Sequence, residues 1–250
     1  MLGINLFIDR SFYMQRRQFN QASVSVMGAL ILAIHQQAHA LSLGDLSGIS
    51  NQDASKGLKA ALEKSAVAAI ALLGKPDGFL SNPKVRIPLP GYLETASGLL
   101  RNFGQSQRID ELVTAINRAA EAAIPMGQDL LISAVRSMNV NDAKNILTGG
   151  ETSVTSFFVE KTRAPLAVTF LPLVIKATEK VGLVNQYNAF AGKAANFGLV
   201  AKNDANIQQY VTGKALDGLF VVIGDEEKKI RQDPLETGSA ILQKVFGSMK

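Results

Sequence analysis

The chain has 250 residues, of which 47% are hydrophobic and 19% charged, and a net charge of +5. That balance suits a globular chain with a substantial core and excludes a disordered or collagen-like one. It has no Cys and no Trp, and its two histidines are His35 and His39.

Residues 1–40 read as a secretory signal peptide. Arg16 and Arg17 lead into an uncharged apolar run from Ala22 to Ile34, which ends at Ala38-His39-Ala40, a small-x-small cleavage pattern. Met14 could serve as the start. Arg16-Arg17-Gln18-Phe19 partly matches a twin-arginine core, and both twin-arginine and Sec export accept such a beginning. The apolar run is too short for a permanent bilayer span, so no transmembrane anchor is expected after cleavage near Ala40. The expected location is the periplasm or outside the cell.

Segment 1–40 carries both histidines, three basic residues and one acidic residue, which leaves the rest at +3. Without His or Cys there is no Ser-His-Asp or Cys-His nucleophile pair, no ordinary zinc site, no His- or Cys-held haem and no disulfide. Carboxylate chemistry, Ser-Lys chemistry and oxygen-ligand metals remain open. No basic block points to nucleic acid, and no cofactor or metal is expected.

Residues 41–52 read as a flexible, Gly-rich leader to a single all-α domain over 53–250. Ser50 and Asp53 form a capping box before an amphipathic helix from Lys56 to Leu73, which Gly74 ends. Lys75 to Gly91 then holds four of the eight prolines and is an extended loop. Phe79, Leu80, Val85, Ile87 and Leu89 suit it to packing on the core. The other reading is a ligand-facing arm with Lys84 and Arg86 as its cationic contacts.

Helices follow over 92–103 and 108–123, the second with an Arg118–Glu121 pair at i, i+3. Pro125 is expected to start the next helix, and a short one closes at Gly149-Gly150. Thr152 and Ser153 open another helix. Its free amides could hold an anion, but Glu151 argues for a plain turn and cap. Pro165 reads as a helix start and Pro172 as a kink, although the Val and Thr content around them also suits a strand. A helix over 183–197 precedes Asn203 or Asp204 as a cap, and Pro234 is expected to start the last helix.

The organising element is Ala205 to Arg231, whose centre, Leu219 to Ile223, is apolar on every side and therefore belongs inside the fold. Asp217 lies in that greasy part. It reads as the polar pin of a buried helix, paired with Arg86, Arg118 or Arg163, and as a weak candidate for ligand contact. Glu227 and Arg231, at i and i+4, read as a solvated face. The expected fold is thus a bundle of eight to ten short helices around one long buried helix, with one Pro-rich loop.

Asn82 to Leu93 (NPKVRIPLPGYL), Asp142 to Gly150 (DAKNILTGG), and KALDGLF with EEKKIRQDP from Lys214 to Pro234 resemble a bacterial family of exported proteins known as the domain of unknown function DUF4197. The resemblance implies an exported helical domain and carries no activity or catalytic residue with it. The functional reading is a non-enzymatic binding module of the cell envelope, for a lipid, another apolar ligand, a partner helix or an envelope protein. A carboxylate enzyme and a structural or assembly protein are the alternatives. A hollow interior around Leu219 to Ile223 would favour a carrier, and a filled one a scaffold or interaction protein.

Overall fold

The computed structural model describes residues 48–141, 143–188 and 207–248. The expected signal segment, most of the leader and the Asn203 or Asp204 cap lie outside them. The described residues form eight named helices and no strand: α1 (Asn51–Leu73), α2 (Gly91–Asn102), α3 (Ser106–Met126), α4 (Gln128–Ser137), α5 (Ala143–Leu147), α6 (Ser153–Lys180), α7 (Ile207–Gln232) and α8 (Ala240–Gly247). Residues 183–188 are also helical.

α1 starts where its capping box places it, with the Asp53 amide donating to Ser50 Oγ at 3.0 Å. Ile49 is already buried, so order begins inside the stretch expected as leader. Leu58, Leu62, Ala66, Ala69 and Leu73 form one buried face, and α1 packs with it against α7, α8, α4 and α5. α7 lies along α6 and α1 for most of its length, so α1 and α7 together make the centre. Leu219, Phe220, Val222 and Ile223 are buried as expected, but Val221 is 45% exposed. One strip of α7 therefore faces water, and the helix is not enclosed on every side.

α6 is one continuous helix through both prolines, which corrects the expected start at Pro165 and removes the strand reading. Pro165 and Pro172 are seven residues apart on the exposed side of α6. The backbone carbonyls they leave unbonded, four residues earlier, belong to exposed positions and can be hydrated. The buried residues Val154, Phe158, Thr162, Leu166, Phe170 and Val174 repeat every four residues. Because a helix turns every 3.6, that row winds around α6 and touches α7, α3, α4 and α5.

Two other boundaries differ from expectation. Pro125 sits in the last turn of α3, and the chain breaks at Gly127, where the Phe170 ring occupies the space a Cβ would need. α8 starts at Ala240, beyond Pro234, because the Asp233 carboxylate accepts the Leu235 and Glu236 amides at 3.1 and 3.2 Å and folds that stretch into a turn.

The Pro-rich arm packs over the core. Phe79 and Val85 lie against α7 at Gly218, where an added Cβ would stand 2.7 Å from the Phe79 ring. Asn117 of α3 grips the arm at Ile87, accepting its amide at 2.8 Å and donating to its carbonyl at 2.9 Å. Tyr210 of α7 donates to the Pro88 carbonyl at 3.0 Å.

Candidate functional site

The residues singled out in the sequence do not converge on one site. Asp217 pairs with Arg163 at 2.5 Å, one of the three arginines expected for it, but the two side chains are 46% and 45% exposed. The pair is a surface contact of about 0–1 kcal/mol, not a buried pin. Lys84 donates to Asp225 at 2.7 Å, eight residues from Asp217 and so about 12 Å further along α7. Arg86 is exposed; its amide donates to the Asn82 carbonyl at 2.8 Å, while its guanidinium pairs with no acid among the described residues.

Arg118 and Glu121 pair at 2.6 Å, and Arg118 also reaches Asp77 at 2.8 Å. Glu121 is buried because it also holds backbone of the arm, its Oε1 accepting the amides of Phe79 and Leu80 at 3.0 and 3.1 Å. The ion pair thus anchors the arm, whose turn would otherwise bury two unpaired donors.

The expected solvated face at Glu227 and Arg231 is instead the buried polar hub of the bundle. Their side chains are 1% and 11% exposed and pair at 2.8 Å. Glu227 accepts the amides of Val154 and Thr155 at 3.2 and 2.7 Å and the Thr155 hydroxyl at 2.6 Å. A carboxylate of this protein therefore fills the anion position at the α6 N-terminus, where Thr152 supplies no side-chain cap. Arg231 donates to the Leu147 carbonyl and Ser153 Oγ and lies 5.2 Å from the centre of the Phe246 ring. The hub joins α5, α6, α7 and α8. Its signal was in the sequence: Glu227 stands between Ile223 and Ile230 in the row that α7 buries.

Among the described residues no group of carboxylates is arranged to hold a metal ion, and no helix is long and apolar enough to cross a membrane. Four titrations are displaced among the described residues: hydrogen bonds to Glu121 and to Glu63 raise the Arg118 and Arg136 guanidinium groups, which stay charged in any case. Lys244, then the Ser50 hydroxyl, hold the Asp53 carboxyl below its ordinary value. Burial, then the charge of Glu94, raises the Tyr210 phenol.

The interior next to Leu216 and Leu219 is filled, with a void of only about 10 Å³ where α1, α3, α4, α6 and α7 meet. Such a space holds one water at most, and its apolar lining would not hydrogen-bond one. The open space lies outside, in a groove of about 550 Å³ between α4 and α6, a wider and more polar one of about 720 Å³ beside Gln107, Glu111, Arg118 and Gln186, and a shallow one of about 400 Å³ from Gly149 to Glu160; the first has the most apolar lining. Leu130, Ala134 and Met138 of the α4 side face Pro165 and Leu166 across it. Gly127, before α4, touches Phe170, while Asn139, after it, shares the groove with Lys161. The two helices therefore run antiparallel. Sequence reasoning did not find the groove, because the pairing of α4 with α6 depends on the continuity of α6.

The described residues thus define an all-α bundle with a filled core, a latched Pro-rich arm and a mainly apolar surface groove between α4 and α6. The family model for proteins of unknown function named DUF4197 matches residues 48–247, and the chain belongs to that family. No curated protein and no solved structure matches it.

Proposed function

We propose that this protein is a non-enzymatic binding module of the cell envelope that engages an apolar ligand, or an apolar segment of an envelope protein, at the groove between α4 and α6. The observation that carries this reading is the contrast between the filled interior and the 550 Å³ groove, which has the size and largely apolar lining of a ligand site between helices. Of the two places open to an apolar ligand, an interior and a cleft, it favours the cleft. Against carboxylate catalysis stand the buried acids themselves: Glu121 and Glu227 are occupied in holding backbone amides. The envelope location rests on the signal pattern of residues 14–40.

Native mass spectrometry of protein purified gently from its own host tests the binding reading. A co-purifying mass that is lost when Ala134→Phe fills the groove is the expected result. An adduct that survives this substitution, or none at all, counts against it. Osmotic-shock fractionation with N-terminal sequencing tests the location, and protein that stays in the cytoplasm with residues 14–40 attached would refute it.

A further inference from the structure

We infer that the groove takes an anionic amphiphile, a medium-chain acyl carboxylate, with its head at Lys161 and its tail along Ala134, Leu130 and Leu166. This rests on the reading of the groove as a binding site and adds its polarity. Antiparallel packing gathers Ser137, Asn139 and Lys161 at one end, because the last residues of the α4 side meet the first groove residues of α6. Beyond that end the walls are apolar, apart from Thr162 and Thr169, whose hydroxyls already donate to the Phe158 and Pro165 carbonyls. The groove therefore has a cation with neutral polar groups at one end and hydrocarbon along the rest.

The charge at the head end is held only by exposed neighbours: the Lys161 Nζ stands 5.7 Å from the centre of the Phe157 ring, a contact that a bound anion need not break. Lys161 pairs at 2.6 Å with Glu160, its neighbour in sequence, but the two side chains are 51% and 67% exposed, and such pairs are weak. One ammonium with the Asn139 amide suits a singly charged carboxylate better than a phosphate, which favours arginine forks or several cations; the Ser137 hydroxyl is already donated to the Ala134 carbonyl at 3.3 Å. The groove face of α6 runs from Lys161 to Thr169, eight residues or about 12 Å, which sets a medium rather than a long chain.

The absence of tryptophan makes a direct test available. Leu130→Trp places a single fluorophore at the tail end of the groove. Thr169→Trp, at an exposed position of the same end, is a second reporter should the first disturb folding. Decanoate is expected to shift the emission saturably, with octanoate and hexanoate weaker by about fourfold for each methylene lost from the groove. Adding Lys161→Met is expected to weaken decanoate about five- to tenfold and to leave 1-decanol unchanged. Equal binding of decanoate and decanol, both indifferent to Lys161→Met, would overturn the inference and leave the apolar groove standing. If neither compound moves the emission of either reporter, the inference fails, and the binding reading then stands or falls with the co-purification result.

Discussion

Glu227 on α7 accepts both the amide and the hydroxyl of Thr155 on α6, at 2.7 and 2.6 Å, while Arg231 one turn later closes on the same carboxylate. Glu227→Ala leaves the Arg231 guanidinium buried without its counter-charge and strips the first turn of α6 of its acceptor. The expected loss is about 3–5 kcal/mol in urea unfolding. Replacing both residues, as Glu227→Leu with Arg231→Met, should cost less than the single change, since no charge is then stranded. If the double variant is the weaker of the two, the ion pair is not what makes this site sensitive.

The contact between Gly218 and Phe79 sets how closely the arm lies on α7. Gly218→Ala adds a methyl 2.7 Å from the Phe79 ring, inside a contact that must then open. An overpacking cost of about 1–3 kcal/mol is expected, despite the better helix propensity of alanine. In a background carrying Phe79→Leu the same substitution should cost less. Strictly additive effects in that double-mutant cycle would show that the two sites are not coupled.

The helices were legible in the sequence wherever apolar spacing and caps agreed, as at Ser50 and Asp53 before α1. They were not legible in α6, where Pro165 and Pro172 imitate a start and a kink. Whether a proline breaks a helix depends on which side its freed carbonyl faces, and only the packing of α6 decides that. Polar partners within one helix were read from short spacing. The rule found Arg118 with Glu121 and Glu227 with Arg231 but placed the second pair in water, because it weighs charge and ignores the flanking apolar row. Asp217 is the reverse case: apolar neighbours suggested burial, while the strip of α7 that also holds Val221 turns outward. The groove was the least legible feature, since it belongs to two helices at once.

Asn117 satisfies both backbone groups of Ile87 and also donates to the Val113 carbonyl of its own helix. Asn117→Leu keeps the volume but leaves the Ile87 amide and carbonyl without partners, at a cost of about 1–3 kcal/mol for each group stranded. The arm should loosen before the bundle unfolds. Limited trypsin digestion reads this directly, because Lys84 and Arg86 are both exposed on the arm. Faster cleavage there, with little change in helical circular dichroism, is the expected outcome; an unchanged digestion rate would mean that Glu121 and Tyr210 hold the arm without Asn117.

The Lys244–Asp53 bridge ties α8 to the first turn of α1 at 2.7 Å and gives the fold a defined acid response. Lys244, then the Ser50 hydroxyl, lower the Asp53 carboxyl in the folded state, whereas in the unfolded chain it titrates near its ordinary value of about 3.9. A depressed folded value means that the unfolded state binds the proton more tightly. The contribution is therefore fully present above the unfolded value and is lost as pH falls through the folded one. Thermal unfolding of the protein and of Asp53→Asn, followed from pH 6 down to pH 2, should show curves separated at the upper end that converge at the lower. Lys244→Met should flatten the response of the parent in the same window. A separation that persists unchanged at pH 2 would mean that Asp53 acts there through its hydrogen bonds rather than through its charge.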